Sequence, residues 1–474
     1  MGQNDKIMLD AIAYFSSIIG IDNVLLEDEQ KKKYGRDMTE GLFYMPSCVL
    51  KPKNTEEVSK ILSYANNNYI SIVPQGRRTC LSGGALPING AVVLSLENLN
   101  RILEIDEENY TVTVEPYVVN FELRTAVEAK GLFYPPDPAS FRISSIGGNL
   151  AENAGGPRCV KYGTTKDYCL SMEVVLADGS IINTGKPVLK NVTGYNLTQL
   201  FIGSEGTLGV ITKATLRLIP KPAHDTLMII SFKDLVDACK AVNVILGAGV
   251  IPSALELMER NCLLASQAHT KTDFPQVTEE TEAHLIVEFD GTDLVTIQAQ
   301  RSHVAQILQS TFTTIEYLFQ PNTDEEVQKV WSLRRVALIA AKKISEFKDE
   351  DIVVPRSNLP KAISYVRELS KEFGLGYVAW GHAGDGNLHV CVMQNDMEKE
   401  KFEQISHVML EKLFKYISND LSGTISGEHG IGLVQKDFVP LSIGAVELDI
   451  MHNIKKVLDP HNILNPGKAL PERN

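Results

Sequence analysis

PQGRRTCLSGGALP, from Pro74 to Pro87, is the stretch on which the fold turns. It follows Ile70, Ile72 and Val73, an apolar run that reads as a strand closed by Pro74. Gly76, Gly83 and Gly84 let the backbone approach a ligand closely and turn its N–H groups inward, the geometry that binds phosphate oxygens. The spacing is not GxGxxG, and no Gly-Lys-Ser/Thr follows, so neither a dinucleotide fingerprint nor a Walker loop is present. Alone, the stretch reads equally well as a glycine-rich hairpin turn.

Three further segments of the first half tip that balance. PPDPAS (Pro135–Ser140) is a proline-fixed turn, and SSIGGNLAENAGG (Ser144–Gly156) has a backbone bare enough to lie against an extended ligand. KYGTT (Lys161–Thr165) and TGYNLTQLFIGSEGTLGVIT (Thr193–Thr212) complete the set, the latter with a Ser204-Glu205-Gly206 turn. Each could be a loop only; all of them in one half point to a bound cofactor.

Around these loops, strands alternate with a few helices. Asn54 and Glu57 stand at capping-box spacing before Val58, Ile61, Leu62 and Ala65, one apolar helical face that should end at Asn66–Asn68. Strand-like segments recur at Val92–Leu96, Ile102–Ile105 and Tyr110–Val114, and Asp178-Gly179 is a strong hairpin-turn signal. Residues 1 to about 50 read as a helical lead-in. After Pro220 and Pro222 the texture changes, with helices expected near 234–246 and 298–309 and strands at 284–289 and 376–380. The expected organisation is a cofactor domain over 1–221, a second domain over 222–442, and a C-terminal segment, 443–474, packing back on the first.

Composition bounds the function. The 474 residues contain 44% hydrophobic and 22% charged residues, ordinary for a globular protein of two or three domains. A net charge of −13 disfavours nucleic acid and anionic lipid as partners. Seven scattered cysteines, without a CxxC pair, argue against a disulfide framework or iron–sulfur cluster and for a reducing, cytoplasmic compartment. No apolar signal core opens the chain and no transmembrane run occurs.

The second half carries a different chemistry. GHAGDGNLH (Gly381–His389) reads as a hairpin turned by Gly384 and Gly386, with His382 and His389 facing across the turn, and SGEHG (Ser426–Gly430) adds Glu428 and His429. Two neutral imidazoles and a carboxylate bind a divalent cation and leave coordination positions open. Zn, Fe(II) and Mn all suit that set.

Together with the tail NPGK (Asn465–Lys468), these motifs closely resemble the FAD-linked 2-hydroxy-acid dehydrogenases of the vanillyl-alcohol-oxidase superfamily, from about residue 40 to the end. That branch includes glycolate oxidase flavoprotein subunits, D-lactate dehydrogenases and D-2-hydroxyglutarate dehydrogenases. The resemblance implies an α+β chain: a PCMH-type FAD-binding fold of two α+β subdomains, plus an α+β cap domain for substrate. It implies that Gly76, Arg77, Arg78, Thr79, Ser82, Gly83 and Gly84 cradle the pyrophosphate. Pro74, Pro136, Asp137, Ser140, Ser145, Gly147, Gly148, Asn149, Gly155, Gly206, Ile211 and Asn465 would contact the rest of FAD. Some relatives attach FAD through a His in these loops; none occurs before His224, so attachment should be non-covalent. It further implies His382, His389 and Glu428 as metal ligands, His429 as the acid/base residue, and Arg334, three residues after Trp331, as the carboxylate clamp. Arg335 and Arg356 are weaker candidates for the clamp.

Two positions depart from the dicarboxylate-specific pattern. Leu338 stands where D-2-hydroxyglutarate-specific relatives have Thr, and Cys391 where they have Asn. Apolar groups cannot satisfy a distal carboxylate, so a small substrate, D-lactate or glycolate, is expected over D-2-hydroxyglutarate. The competing expectations are a flavin-dependent transferase like alkylglycerone-phosphate synthase and a non-catalytic flavin subunit of an electron-transfer complex. No second redox motif appears, so electrons should leave to an external acceptor such as an electron-transferring flavoprotein, an iron–sulfur partner subunit or a quinone.

Overall fold

The computed structural model describes residues 3–321 and 323–473, so Met1, Gly2 and Asn474, the ends of the expected domain bounds, lie outside it. The chain divides into two compact units. The first comprises Met1–Ala154, Thr164–Lys221 and Glu428–Asn474; the second comprises Gly155–Gly163 and Pro222–Gly427. The return to the first unit thus starts at Glu428, where the sequence suggested 443, and the short segment Gly155–Gly163 goes with the second unit.

In the first unit, α1 (Gln3–Ile19) is followed by β1 (Val24–Leu25), β2 (Val49–Leu50), α2 (Thr55–Asn67), β3 (Ile72–Gln75) and β4 (Val92–Ser95). The expected helical lead-in is therefore corrected: only α1 is a long helix, and β1 and β2 begin a four-stranded sheet of order β1-β2-β4-β3. Asn54 caps α2, its side-chain oxygen accepting the Glu57 N–H at 2.9 Å. Val58, Ile61, Leu62 and Ala65 are buried with Ala11 and Phe15 of α1 and with Ile72, Val92 and Leu94 of the sheet. Each fully buried Val, Ile, Leu or Phe side chain in this set contributes about 1.5–3 kcal/mol.

A second sheet of this unit contains β5 (Ile102–Asp106), β6 (Thr111–Val114), β7 (Cys169–Val175), β8 (Ile181–Asn183) and β9 (Val210–Arg217) in the order β5-β6-β9-β7-β8. Its β7–β8 hairpin turns at Asp178-Gly179, with Gly179 at φ 90°. Between these strands lies α3 (Ile146–Glu152).

The second unit is built on one seven-stranded antiparallel sheet. Its elements in chain order are β10 (His224–Phe232), α4 (Leu235–Gly247), β11 (Ala254–Glu259), α5 (Arg260–Thr270), β12 (Ala283–Gly291) and α6 (Leu294–Thr311). There follow β13 (Ile315–Phe319), α7 (Asp324–Arg335), α8 (Ala337–Lys342), β14 (Phe347–Val353), α9 (Leu359–Phe373), β15 (Gly376–Gly381) and β16 (Asn387–Met393). Strand order is β13-β10-β12-β11-β15-β16-β14. One face buries Met258, Val378, Trp380, Cys391 and Met393 against Cys262 and Leu263 of α5 and against Trp331, Ala337 and Ala341 of α7 and α8. The chain closes with α10 (Lys399–Lys415) and, in the first unit, α11 (Ala445–Leu458). No helix among the described residues is long and apolar enough to cross a membrane.

Candidate active site

In the first unit, the glycines converge on α3. A Cβ on Gly76 would sit 2.5 Å from the Ser145 hydroxyl, so only glycine lets this loop reach the start of α3. Ser145 caps that helix, accepting the Gly148 N–H at 3.4 Å. Gly147 packs on Pro116, and Gly206, at φ 69°, packs on Pro74. Asn120 links the segment to the proline turn by donating to the Pro136 carbonyl at 3.1 Å.

Asn149, Ser144 and Asn120 are buried, yet Asn149 Nδ2, Ser144 Oγ and Asn120 Oδ1 have no hydrogen-bond partner among the described residues. Buried polar atoms left this way are costly and uncommon in native folds. A glycine-lined cradle edged by such atoms suits an elongated, hydrogen-bonding ligand, and FAD fits it. Other residues expected there are engaged locally. Arg77 donates to the Ile143 carbonyl at 2.6 Å, Arg78 lies over the Tyr34 ring, and Asp137 stands 3.9 Å from Arg124. Asn465 bonds the Gly84 and Glu205 carbonyls, each at 2.8 Å. Ser140 helps close the turn by accepting the Ser144 N–H at 2.8 Å. Ile211 pairs with Val174 inside the sheet, and Gly155 belongs to the second unit.

Two acids of this unit, the buried Glu205 and the half-buried Glu152, escaped the sequence reading. The Glu205 carboxylate accepts the N–H groups of Ile431 and Gly432 at 2.8 and 2.7 Å, which holds the backbone just after His429. Burial pushes its pKa up against those two N–H groups. Glu152 is pushed up to about 8 by burial and by the Glu205 charge, against the Cys80 thiol and the His429 imidazole. The GSEG turn was visible in the sequence, but nothing in it disclosed which backbone its carboxylate would hold.

In the second unit, His382 and His389 are both buried. The hairpin winds through a short 3-10 turn, Ala383–Asp385, so His389 pairs in register with Trp380 and His382 begins the turn. A side chain on Gly386, at φ 79°, would collide with the Val354 carbonyl. The two imidazoles meet edge to face, with centroids 5.2 Å apart and ring nitrogens within 4.8 Å.

Carboxylates from other strands stand beside both rings, and one of them fixes His382. His382 Nδ1 lies 2.8 and 2.9 Å from the two oxygens of Glu256, whose side chain is fully buried. A carboxylate only accepts, so Nδ1 carries the proton and the ring's lone pair falls on Nε2, the nitrogen that can ligate a metal. Burial alone would raise the Glu256 pKa, but His382 and Arg334 outweigh it and hold the carboxyl below its usual range. Arg334 is buried too and reaches Glu256 at 2.6 Å. His389 Nδ1 lies 3.5 Å from Asp351. Asp351 also accepts from Asn387 Nδ2 at 2.6 Å and from the Gly427 N–H at 2.8 Å. Gly427 is therefore pinned to β14, and Glu428 and His429 follow it directly in the chain.

Cys391 and Leu338, the two departures noted above, pack in one apolar cluster with Trp331 and Trp380. Arg356 donates to the Gly384 carbonyl at 3.3 Å, a turn contact, and Arg335 lies over the Trp331 ring.

Comparisons with known proteins match this two-part construction. A model of an FAD-binding domain matches residues 46–185, and a model of the C-terminal domain of FAD-linked oxidases matches residues 221–469. The chain is 39% identical to glycolate oxidase subunit GlcD of Bacillus subtilis, over 92% of this chain and 91% of that one. It is 37% identical to a D-lactate dehydrogenase of Anaerostipes hadrus, over 98% of each, and 31% identical to a D-2-hydroxyglutarate dehydrogenase of Stutzerimonas stutzeri, over 98% and 99%. Among solved structures, p-cresol methylhydroxylase superposes with a TM-score of 0.81 at 21% identity, covering 99% of this chain and 97% of that one. An alkyldihydroxyacetonephosphate synthase superposes at 0.74 and 18% identity, covering 96% and 85%. These two likenesses concern the fold alone, which is the α+β architecture expected from the sequence.

Proposed function

The chain belongs to the FAD-linked oxidases, enzymes that oxidise 2-hydroxy acids, and from that premise we propose that its substrate is a small D-2-hydroxy acid, D-lactate or glycolate. His382, His389 and Glu428 are proposed as ligands of a divalent ion, Zn, Fe or Mn, and His429 as the base. The observation that carries this reading is the pair of buried imidazoles, edge to face, of which His382 has its tautomer and orientation set by the buried Glu256 carboxylate. That bond leaves Nε2 of His382 as the nitrogen able to ligate a cation.

When bound, FAD supplies a two-electron acceptor and a divalent ion a Lewis acid for the substrate hydroxyl. Arg334 orients the substrate carboxylate with the nitrogens that Glu256 does not occupy; its buried Nε has no partner among the described residues. His429, as a neutral imidazole, takes the hydroxyl proton as the C2–H bond breaks. Because metal ligation and base catalysis both require neutral imidazole, turnover falls on the acid side of neutrality. FAD is held non-covalently by the loops around Gly76, Gly83, Gly147 and Gly206. Leu338 and Cys391 are apolar at the two positions where dicarboxylate-specific relatives carry a polar side chain, which favours a monocarboxylic substrate.

Electrons leave to an external acceptor, an electron-transferring flavoprotein or an iron–sulfur partner subunit. The Bacillus relative is itself named a subunit, which supports a partner for this chain. The free cysteines suit a reducing, cytoplasmic setting. Anaerobic addition of D-lactate, glycolate, D-2-hydroxyglutarate and L-lactate to the flavoprotein tests the assignment. D-lactate or glycolate should bleach the flavin fastest and L-lactate should leave it oxidised; fastest bleaching by D-2-hydroxyglutarate would overturn the monocarboxylate assignment.

A further inference from the structure

Glu256 is fully buried in the middle of a sheet, a costly place for a carboxylate unless its partners repay the lost hydration. Its two partners come from different elements. The β11–β15 register pairs Leu257 with Gly381, so Glu256 faces His382 across neighbouring strands. Arg334 comes down from α7. That helix is pinned to the same sheet three residues earlier, where Trp331 Nε1 donates to Glu288 at 3.1 Å. Ser253 in turn donates to Glu288 at 3.0 Å.

We propose that Glu256 is a positioning residue that sets the metal-ligating tautomer of His382 and the reach of Arg334 together, so that one carboxylate fixes the spacing between the cation and the substrate-carboxylate clamp. This rests on the functional reading above. Its oxygens lie at 2.8 and 2.9 Å from His382 Nδ1, and one of them lies at 2.6 Å from a terminal nitrogen of Arg334. A neutral amide at this position could still meet one partner. It could not accept strongly from both, and its own N–H groups would face the guanidinium.

The test uses FAD-loaded full-length protein carrying Glu256→Gln, with Mn2+ or Zn2+ affinity measured by titration against a competing chelator, beside kcat and KM for D-lactate. The expected result is metal affinity lowered about 10- to 100-fold, KM raised at least about tenfold with a smaller change in kcat, and FAD content unchanged. Glu256→Asp keeps the charge but withdraws it by one methylene. It should fold even if the amide variant does not, and should show the same pattern at smaller size. Native metal affinity and native KM in either folded variant would overturn the proposal. Wild-type protein that binds neither ion, and is bleached by no 2-hydroxy acid, would overturn the functional reading and the positioning role with it. Wild-type protein that does both while the variants match it would overturn the positioning role alone.

Discussion

The first unit's cradle and the second unit's imidazole pair are both built on glycines, but the glycines do opposite work. Around Gly76 they bring one stretch of backbone close to another at the start of α3, beside polar atoms of Asn149, Ser144 and Asn120 that have no partner among the described residues. Around Gly386 they only let a hairpin turn, and of the side chains it carries His382 is held by the Glu256 carboxylate of a distant strand, while Asp351 stands 3.5 Å from His389. A backbone cradle is specified locally. A side-chain site is specified by tertiary contacts, and each of its members has a separate point of failure.

The largest effect should come from the side-chain site. His429→Asn should lower the rate of flavin reduction by D-lactate about 10²- to 10⁴-fold, the usual contribution of a general base, while FAD and metal content stay at wild-type levels. Stopped-flow reduction alongside flavin and metal analysis checks this, and retained reduction would remove His429 as the base.

Next come paired glycine substitutions, which separate the two constructions. Gly76→Val should weaken FAD binding by at least about tenfold, since its Cβ alone would sit 2.5 Å from the Ser145 hydroxyl. Metal uptake should persist. Gly386→Ala should do the reverse, lowering metal affinity while FAD is retained, because its φ of 79° and the Val354 carbonyl both oppose a side chain. Loss of both ligands in either variant would show that the two constructions are not separable.

The smallest effect lies within the second unit, at a buried histidine that no carboxylate fixes in this way. His284 is bonded through Nε2 to the Tyr317 hydroxyl at 3.1 Å, and burial lowers its pKa from 6.5 to about 4. A group whose folded pKa is depressed in this direction resists protonation that the unfolded chain accepts. Stability is therefore lost as pH falls below 6.5, by about 1 kcal/mol between pH 7.5 and 5.5. Urea unfolding midpoints should drop over that interval in wild-type protein and stay flatter in His284→Gln.

How far the sequence can be read follows the same division. The cradle was legible because glycines and prolines at fixed spacing announce backbone geometry, and the apolar face of α2 and the Asp178-Gly179 turn were legible from periodicity and turn chemistry. The His382 and His389 pair was legible because both lie on one hairpin. Glu256 was not, since it stands 126 residues before His382 and looks like any acid in a strand. Glu205 showed only as part of a turn, and the backbone it holds, at Ile431 and Gly432, lies 226 and 227 residues further along the chain. Strands β1 and β2 are two residues each, too short to show a period, so the lead-in read as helix.

The most direct test of the central claim is the rate of anaerobic flavin bleaching by D-lactate and by glycolate in one preparation, measured before metal removal, after verified removal with FAD retained, and after reloading with Zn2+ or Mn2+. The account predicts bleaching by at least one of the two acids in the loaded protein, a rate at least about tenfold lower without the ion, and recovery on reloading. An unchanged rate in metal-free protein would contradict it.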